Sequence, residues 1–243
     1  MQVQHFHSWD VTPKEAIQIQ QQLRAKVIPH GKVGTPNLIA GADVAFVEDI
    51  AHACVVVLSF PKLDVLETVV HKAKVTFPYI PGLLSFRETP ALVQAFGKLK
   101  HDPDLIFIDG QGLAHPRAAG IACHIGVILD RPTIGCAKSL LFGTYKEPKQ
   151  ARGSVSDLCD DGGGVIGAVV RTKDGVQPVF VSIGHKIGLA QAIELTLACG
   201  KGYRIPEPTR QADILADRAK TGDVQVEEQK RQGEAQERQG ELF

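Results

Sequence analysis

Two aspartates lie in apolar stretches of this chain and could bind metal ions. Asp43 is set within Ala-Gly-Ala-Asp-Val-Ala-Phe, and Asp109 follows Phe-Ile at the end of an apolar run. An ionised carboxylate in such surroundings is unfavourable unless it is paired or metal-bound. Mg²⁺ prefers oxygen ligands, and two such ions about 4 Å apart can activate a water and neutralise the leaving oxygen in phosphodiester hydrolysis. Together with Glu88, the aspartates favour a metal-dependent nuclease site.

Each acid also has a purely structural interpretation. An aspartate at a strand end often caps the following turn, and for Asp109 alone that interpretation is the better one. Asp43, in the middle of an apolar strand, is harder to explain without a charged partner. The metal hypothesis therefore depends on the acids occurring together.

A lysine and a histidine follow the same strands and extend this candidate site. Lys138 comes directly after a predicted strand, where a phosphate contact and a solvent-exposed lysine are equally compatible with its position. His115 lies in the loop after Asp109 and is a better site candidate than His124, which we expect to pack in a helix. His185 follows another strand, and its role stays open.

A proline-bracketed tip stands in residues 76–88. Each proline fixes its own φ and holds the preceding residue in extended geometry, so Pro78 and Pro81 stiffen the projection that carries Tyr79 and Ile80. A hydrophobic core does not need such a tip, whereas a protein that enters a stacked duplex does. Pro78, Tyr79, Ile80 and Pro81 are therefore predicted to form a wedge for nucleic acid.

The first half of the chain predicts one helix and three strands. Thr12 can cap a helix that begins at Pro13, and Glu15 can return the capping-box bond. We expect this helix to end near Val27. Short polar turns join the strands, which predicts an antiparallel meander over residues 38–46, 52–60 and 65–76.

The second half alternates helices and strands. Helices are predicted over residues 90–99, 115–130, 189–199 and 209–220, and strands over 105–108, 132–137, 165–171 and 179–183. A strand, a helix and a strand with tight loops form a right-handed parallel crossover. A meander followed by a parallel βαβ unit is the order of a ribonuclease-H-like α/β fold, a mixed sheet flanked by helices. Its first and fourth strands are neighbours, so Asp43 should face Asp109 at the sheet edge where ligands collect.

Composition predicts one globular domain over residues 1–220 and a polar, disordered tail over 221–243. The 27 basic and 27 acidic side chains give a net charge of zero, which argues against binding DNA through a broad positive field. Five widely spaced cysteines without a C-x-x-C pair, and no secretion signal, predict a cytoplasmic protein. The apolar runs are too short to span a membrane, and we expect a monomer.

Four segments resemble endonuclease V, the deoxyinosine 3′ endonuclease of DNA repair. The resemblance covers about residues 9–218, and its motifs are long and in order. The segments are Phe-Pro-Tyr-Ile-Pro-Gly-Leu-Leu-Ser-Phe-Arg-Glu at 77–88, Asp-Gly-Gln-Gly-Leu-Ala-His-Pro-Arg at 109–117, Ile-Gly-Cys-Ala-Lys-Ser at 134–139 and Arg-Ile-Pro-Glu-Pro-Thr-Arg at 204–210.

The resemblance implies a ribonuclease-H-like fold and Mg²⁺-dependent cleavage, with Mn²⁺ as a substitute. The family nicks the second phosphodiester bond 3′ to deoxyinosine and leaves 3′-hydroxyl and 5′-phosphate ends. Carried over by motif, the catalytic residues would be Asp43, Glu88, Asp109, Lys138, Asp213 and His115. Asp43 and Asp109 would bind the metal, Lys138 would contact phosphate, and His115 would support the site.

The same resemblance implies a pocket for the damaged base. Hypoxanthine presents O6 as an acceptor and N1–H as a donor, and main-chain groups near Gly82, Leu84, Gly110 and Ile121 could match that edge. An enzyme of this kind takes the base out of the stack, and the wedge would fill the vacated space.

Two other functions stay open at this stage. A related enzyme could act on inosine-containing RNA or branched DNA, and a non-catalytic module could recognise damaged DNA for other proteins. A pure binding module has no use for clustered carboxylates near phosphate, which argues against the second alternative.

Gly188 stands where a polar helix cap is expected, and this places His185 in doubt as a site residue.

Overall fold

The structure, a computed structural model, describes Met1 and residues 3–221. The polar tail predicted for residues 221–243 lies, apart from Thr221, outside this range and stays a prediction. Five helices are present in the described residues: α1 Pro13–Arg24, α2 Leu84–Gly97, α3 Ile121–Leu129, α4 Leu189–Ala198 and α5 Glu207–Thr221. The strands are β1 Leu38–Val47, β2 Ile50–Ser59, β3 Val65–Lys74, β4 Leu105–Ile108, β5 Thr133–Ala137, β6 Thr144–Tyr145, β7 Val155–Cys159, β8 Val165–Val170 and β9 Val179–His185.

The strands form one nine-stranded mixed sheet in the order β3-β2-β1-β4-β5-β9-β8-β7-β6. Strands β1, β2 and β3 are antiparallel neighbours, while β4 is parallel to β1 and β5 is parallel to β4. The predicted meander, the parallel βαβ unit and the pairing of the first strand with the fourth are confirmed.

Local sequence signals account for the ends of several elements. Helix α1 begins with the predicted capping box, in which Thr12 accepts from the Glu15 backbone and the Glu15 carboxylate accepts from the Thr12 backbone. It ends at Arg24, three residues before the predicted end. Helix α4 begins after Gly188, which gives no side-chain cap.

Two predicted helix starts were wrong, and two strands were not predicted. Helix α2 begins at Leu84 rather than at residue 90 and contains Pro90 in its interior, because its first turns bury Ser85 and Phe86 and this packing outweighs the proline penalty. Helix α3 begins at Ile121 rather than at residue 115, since Ala118 has a positive φ of 47° that a helix does not allow. Strands β6 and β7 were not predicted because they are short and mostly exposed.

Helices cover both faces of the sheet, and β1 contributes to both layers. Ala40 and Ala42 face the core shared with α2 and α3, whereas Ile39 and Ala45 face the core shared with α4 and α5. Side chains alternate along a strand, so Asp43 points to the α5 face. No helix among the described residues has the length and apolar character needed to cross a bilayer.

Gly41 sets the distance between β1 and α5. A Cβ atom at this position would lie 1.9 Å from the carbonyl oxygen of Pro208, so only glycine allows the two backbones to approach this closely. Because Gly41 and Asp43 share a strand face, the same approach brings α5 to the Asp43 carboxylate.

Gly41→Ala should lower the free energy of unfolding by about 2 kcal/mol, because a methyl group there displaces the α5 backbone. Chemical denaturation of both proteins measures this difference. Gly97→Ala is the matched control, since no atom lies within 4 Å of a Cβ built at Gly97 and its stability should not fall. Equal stability of Gly41→Ala and the wild type would contradict the role given to this contact.

Candidate active site

Three carboxylates meet at the junction of β1, β4 and α5. Asp43 lies in β1, Asp109 follows β4, and Asp213 lies in α5. One oxygen from each carboxylate lies within 4.8 Å of the others. The Asp109 backbone N–H donates to the Ala42 carbonyl at 3.1 Å, so the parallel pairing of the two strands sets Asp109 beside Asp43.

Lys138 is a cation in direct contact with this group. Its ammonium donates to Asp109 Oδ2 at 2.7 Å and to Asp213 Oδ1 at 2.7 Å. Lys138 follows β5, which is parallel to β4, and this places the lysine at the same sheet edge. Burial would lower the pKa of Lys138, but the hydrogen bonds and charges of the two aspartates outweigh burial and raise this pKa.

The carboxylates are held in an environment that disfavours their charged forms. Burial, followed by the charge of Asp109, raises the pKa of Asp43 to about 7, although the Val44 N–H and Lys138 partly oppose this rise. Burial also raises the pKa of Asp109 despite its bond to Lys138. One lysine therefore does not neutralise the group, and a further cation would stabilise it.

Glu88 approaches the aspartates from the opposite helix layer but is not one of the three clustered carboxylates. It lies on α2 and is 9% exposed. Burial, then the charges of Asp43 and Asp109, raise the pKa of Glu88 well above its usual value, and Arg87 opposes the shift. The acid that completes the tight group is Asp213, which its position in the sequence alone would leave as a surface helix residue.

The donor set fits a hard divalent cation. All three clustered groups are partly buried carboxylates, and the Asp213 side chain remains 40% exposed. Oxygen-only sites of this kind suit Mg²⁺, Mn²⁺ or Ca²⁺ rather than zinc, which favours nitrogen and sulfur ligands.

The predicted wedge projects from the surface beside this site. Tyr79 is 70% exposed, Pro78 and Pro81 are exposed, and Ile80 is half-buried. The base of the projection is anchored, because Phe77 packs on Phe86 with ring centroids 5.6 Å apart. The Arg87 guanidinium also donates to the Phe77 carbonyl at 3.0 Å. An exposed tip on a fixed base is the geometry that an inserted side chain requires.

A cavity of about 110 Å³ lies at the foot of the wedge. Three residues of the predicted base pocket, Gly82, Leu84 and Ile121, line it. Gly110 does not line the cavity, but it packs closely against Ile121, which does. A Cβ at Gly110 would lie 2.6 Å from the Ile121 side chain.

The two candidate histidines lie in different places. His115 lines the cavity, where its Nε2 donates to the Gly82 carbonyl at 3.0 Å and its Nδ1 accepts from the Arg117 N–H at 3.1 Å. Burial and then the charge of Arg117 lower the pKa of His115 to about 4, so the ring is neutral. His185 pairs with Thr133 at the beginning of β5, whereas Lys138 follows the end of that strand. The structure thus separates His185 from the acids.

Sequence reasoning missed four residues on the cavity wall, Gln20, Ser85, Gly120 and Leu141. Gln20 is 1% exposed and shares the buried stripe of α1 with Ala16 and Leu23. A glutamine at that spacing on an apolar helix face was the available signal, since a buried amide must find partners. Leu141, 47% exposed, has no comparable signal in the sequence.

The model of the Endonuclease V family matches residues 21–214. The chain belongs to the endonuclease V family. It is 50% identical over 208 residues to endonuclease V of Roseiflexus sp. (strain RS-1), an alignment that covers 86% of this chain and 93% of the relative. The fold agrees with the crystal structure of endonuclease V from Streptomyces avermitilis, with a TM-score of 0.85, 41% identity, and coverage of 92% of this chain and 100% of that one. The predicted ribonuclease-H-like fold is confirmed.

Another endonuclease V structure contains nucleic acid. The Ciona intestinalis protein was crystallised with a 24mer DNA containing an inosine followed by a ribo-adenosine. This chain matches it with a TM-score of 0.77 and 28% identity, over 87% of its own length and 98% of that chain. The chain thus belongs to a family of nucleases, and one relative binds inosine-containing DNA.

Asp213→Asn should lower the affinity for Mn²⁺ on the order of tenfold, because the amide keeps the shape of the carboxylate but supplies no negative charge. Isothermal titration calorimetry without DNA measures this affinity. Asp217→Asn, one turn further along α5, is the matched control, since Asp217 is exposed and pairs with Lys220. The same Mn²⁺ affinity in Asp213→Asn and the wild type would exclude Asp213 from the ion site.

Proposed function

We propose that this protein is a metal-dependent DNA repair endonuclease that nicks the second phosphodiester bond 3′ to deoxyinosine. The products would carry 3′-hydroxyl and 5′-phosphate ends. The convergence of the Asp43, Asp109 and Asp213 carboxylates beside Lys138 is the observation that carries this proposal.

Asp43 and Asp109 are proposed to hold Mg²⁺, for which Mn²⁺ would substitute, and Asp213 to complete the set of ligands. When bound, the cation supplies a water that ionises near neutral pH and charge relief for the leaving oxygen. Lys138 already contacts two of the acids, and a cation bound there would compete with it for them. The freed ammonium would then be available to a phosphate oxygen. Glu88 would support the acids from α2.

The wedge is proposed to fill the space that the extruded base leaves, and the cavity is proposed to bind that base. Tyr79 is exposed and stiffened by the flanking prolines, which suits insertion into the space that a flipped base leaves. Inosine pairs weakly, so extruding it from the duplex costs less than extruding a normal base. Main-chain groups of Gly82, Leu84 and Ile121, supported by Gly110, would match the O6 and N1–H edge of hypoxanthine. The inosine-containing DNA bound by the Ciona relative supports this assignment.

Inosine-containing RNA is a second candidate substrate. The DNA bound by the Ciona relative has a ribo-adenosine directly after the inosine, so a 2′-hydroxyl is accepted there in that protein. Duplexes of identical sequence with inosine in DNA, in RNA or before a single ribonucleotide would rank the substrates of this chain by kcat/KM. The carboxylate group is needed for cleavage of either polymer and argues against a non-catalytic damage-binding module.

Compartment and assembly are also part of the proposal. The five cysteines of the chain are free thiols, and four of them are buried. Free thiols support the reducing cytoplasm as the compartment. We retain a monomer as the proposed state, with deaminated DNA as its partner.

Asp109→Ala should abolish Mg²⁺-dependent nicking of an inosine duplex while leaving DNA affinity largely intact, because the carboxylate serves the cation rather than the base. Gel-based nicking and fluorescence anisotropy measure the two properties. Asp102→Ala is the matched control, since Asp102 is exposed and pairs with Arg131 at the surface. Equal loss of nicking and binding in Asp109→Ala would count against a role in metal binding.

Tyr79→Ala should reduce the preference for inosine over normal duplex about tenfold, the scale of one lost base–aromatic stacking contact. Tyr79→Phe keeps the ring and should retain the preference. Competition binding with inosine and normal duplexes measures it, and Mn²⁺ affinity without DNA should be the same in all three proteins. An unchanged preference in Tyr79→Ala would remove the wedge from the proposal.

A further inference from the structure

Three side chains donate hydrogen bonds to one backbone carbonyl, that of Gly82. The donors are His115 Nε2 at 3.0 Å, Arg117 Nη2 at 2.6 Å and Gln20 Nε2 at 3.0 Å. They come from helix α1 and from the loop between β4 and α3. Three donors exceed the two lone pairs of a carbonyl oxygen, so this group has no capacity left to accept from a ligand.

Gln20 links this carbonyl to a second segment of the chain beside the cavity. Its Nε2 also donates to the Ala119 carbonyl at 3.1 Å, and its Oε1 accepts from Arg117 Nε at 2.5 Å. The buried amide thus uses both N–H groups and its oxygen. Arg117 in turn donates to both Gln20 and Gly82, and the bonds form a closed ring.

The two carbonyls bound by Gln20 belong to two segments of the chain that line the base cavity. Gly82 belongs to the segment that carries the wedge, and Ala119 directly precedes Gly120 and Ile121, which also line the cavity. One amide therefore joins the two segments, with donor distances of 3.0 and 3.1 Å.

Gly82 is fitted to this arrangement. Its φ of +78° is in the region that favours glycine. A Cβ at this position would lie 2.8 Å from Arg117 Nη2. A side chain there would therefore displace the guanidinium that completes the ring.

We propose that Gln20 is a positioning residue that, together with Arg117, sets the separation of the cavity walls and thereby the selectivity for the damaged base. This inference rests on the proposed function. It also implies that Gly82 recognises the base through its N–H group, because its carbonyl oxygen is saturated by the three donors.

Gln20→Glu tests the proposal with almost no change in volume. The carboxylate still accepts from Arg117 but has no N–H to donate, so the Gly82 and Ala119 carbonyls both lose a buried partner. The ratio of kcat/KM for inosine duplex to that for matched normal duplex should fall about tenfold, the scale expected when buried acceptors lose a donor. The Mg²⁺ concentration for half-maximal nicking should stay the same, because the cluster of Asp43, Asp109 and Asp213 is not altered.

Gln21→Glu is the matched control. It makes the same chemical change at the next, exposed position of α1 and should retain the wild-type selectivity. Arg117→Gln, at a partly exposed position, is the second variant and should shift selectivity in the same direction even if Gln20→Glu does not fold. Circular dichroism and thermal melting establish folding for each protein.

The outcomes separate this proposal from the function on which it rests. Wild-type selectivity in both folded variants would overturn the positioning role while leaving the endonuclease intact. A change in Mg²⁺ dependence equal to the change in selectivity would overturn it as well, since that would indicate general damage to the site. A wild-type protein that does not prefer inosine would instead overturn the proposed function.

Discussion

Repulsion among three carboxylates is the constraint on which the rest of the site depends. Asp43 lies in β1, Asp109 follows β4 and Asp213 lies in α5, and one oxygen of each carboxylate lies within 4.8 Å of the others. Lys138 compensates this charge only in part, because burial still raises the pKa values of Asp43 and Asp109. Such a group is stable only if the surrounding backbone keeps it together. Close β1–β4 pairing and the approach of α5 over Gly41 provide that support.

Helix α2 connects this charged group to the base cavity. Leu84, its first residue, lines the cavity, and Glu88, one turn later, is close enough for Asp43 and Asp109 to raise its pKa. Residues four apart lie on the same helix face. A single rigid element therefore fixes the distance between the proposed base pocket and the proposed ion site, which suits an enzyme that cuts at a set spacing from the lesion.

Local patterns were sufficient to predict the elements that bring Asp43 beside Asp109. Alternating apolar segments, turn signals and a buried run at 105–108 determine the meander and the parallel unit. Long-range contacts could not be predicted in the same way. Asp213 lies beside Asp43 and Asp109 because Gly41 allows the Pro208 backbone to approach β1 closely. Gln20 donates hydrogen bonds to carbonyls that are 62 and 99 residues away in the sequence. The helical spacing of Gln20 indicates burial, but nothing local in the sequence identifies the partners in either contact.

Anomalous scattering from a crystal grown with Mn²⁺ would show directly whether Asp43 and Asp109 hold a cation. We expect a Mn²⁺ peak bound by carboxylate oxygens of both aspartates, with the Lys138 ammonium moved away from at least one acid. A map with no peak between these two aspartates, at a Mn²⁺ concentration that supports nicking, would contradict this expectation.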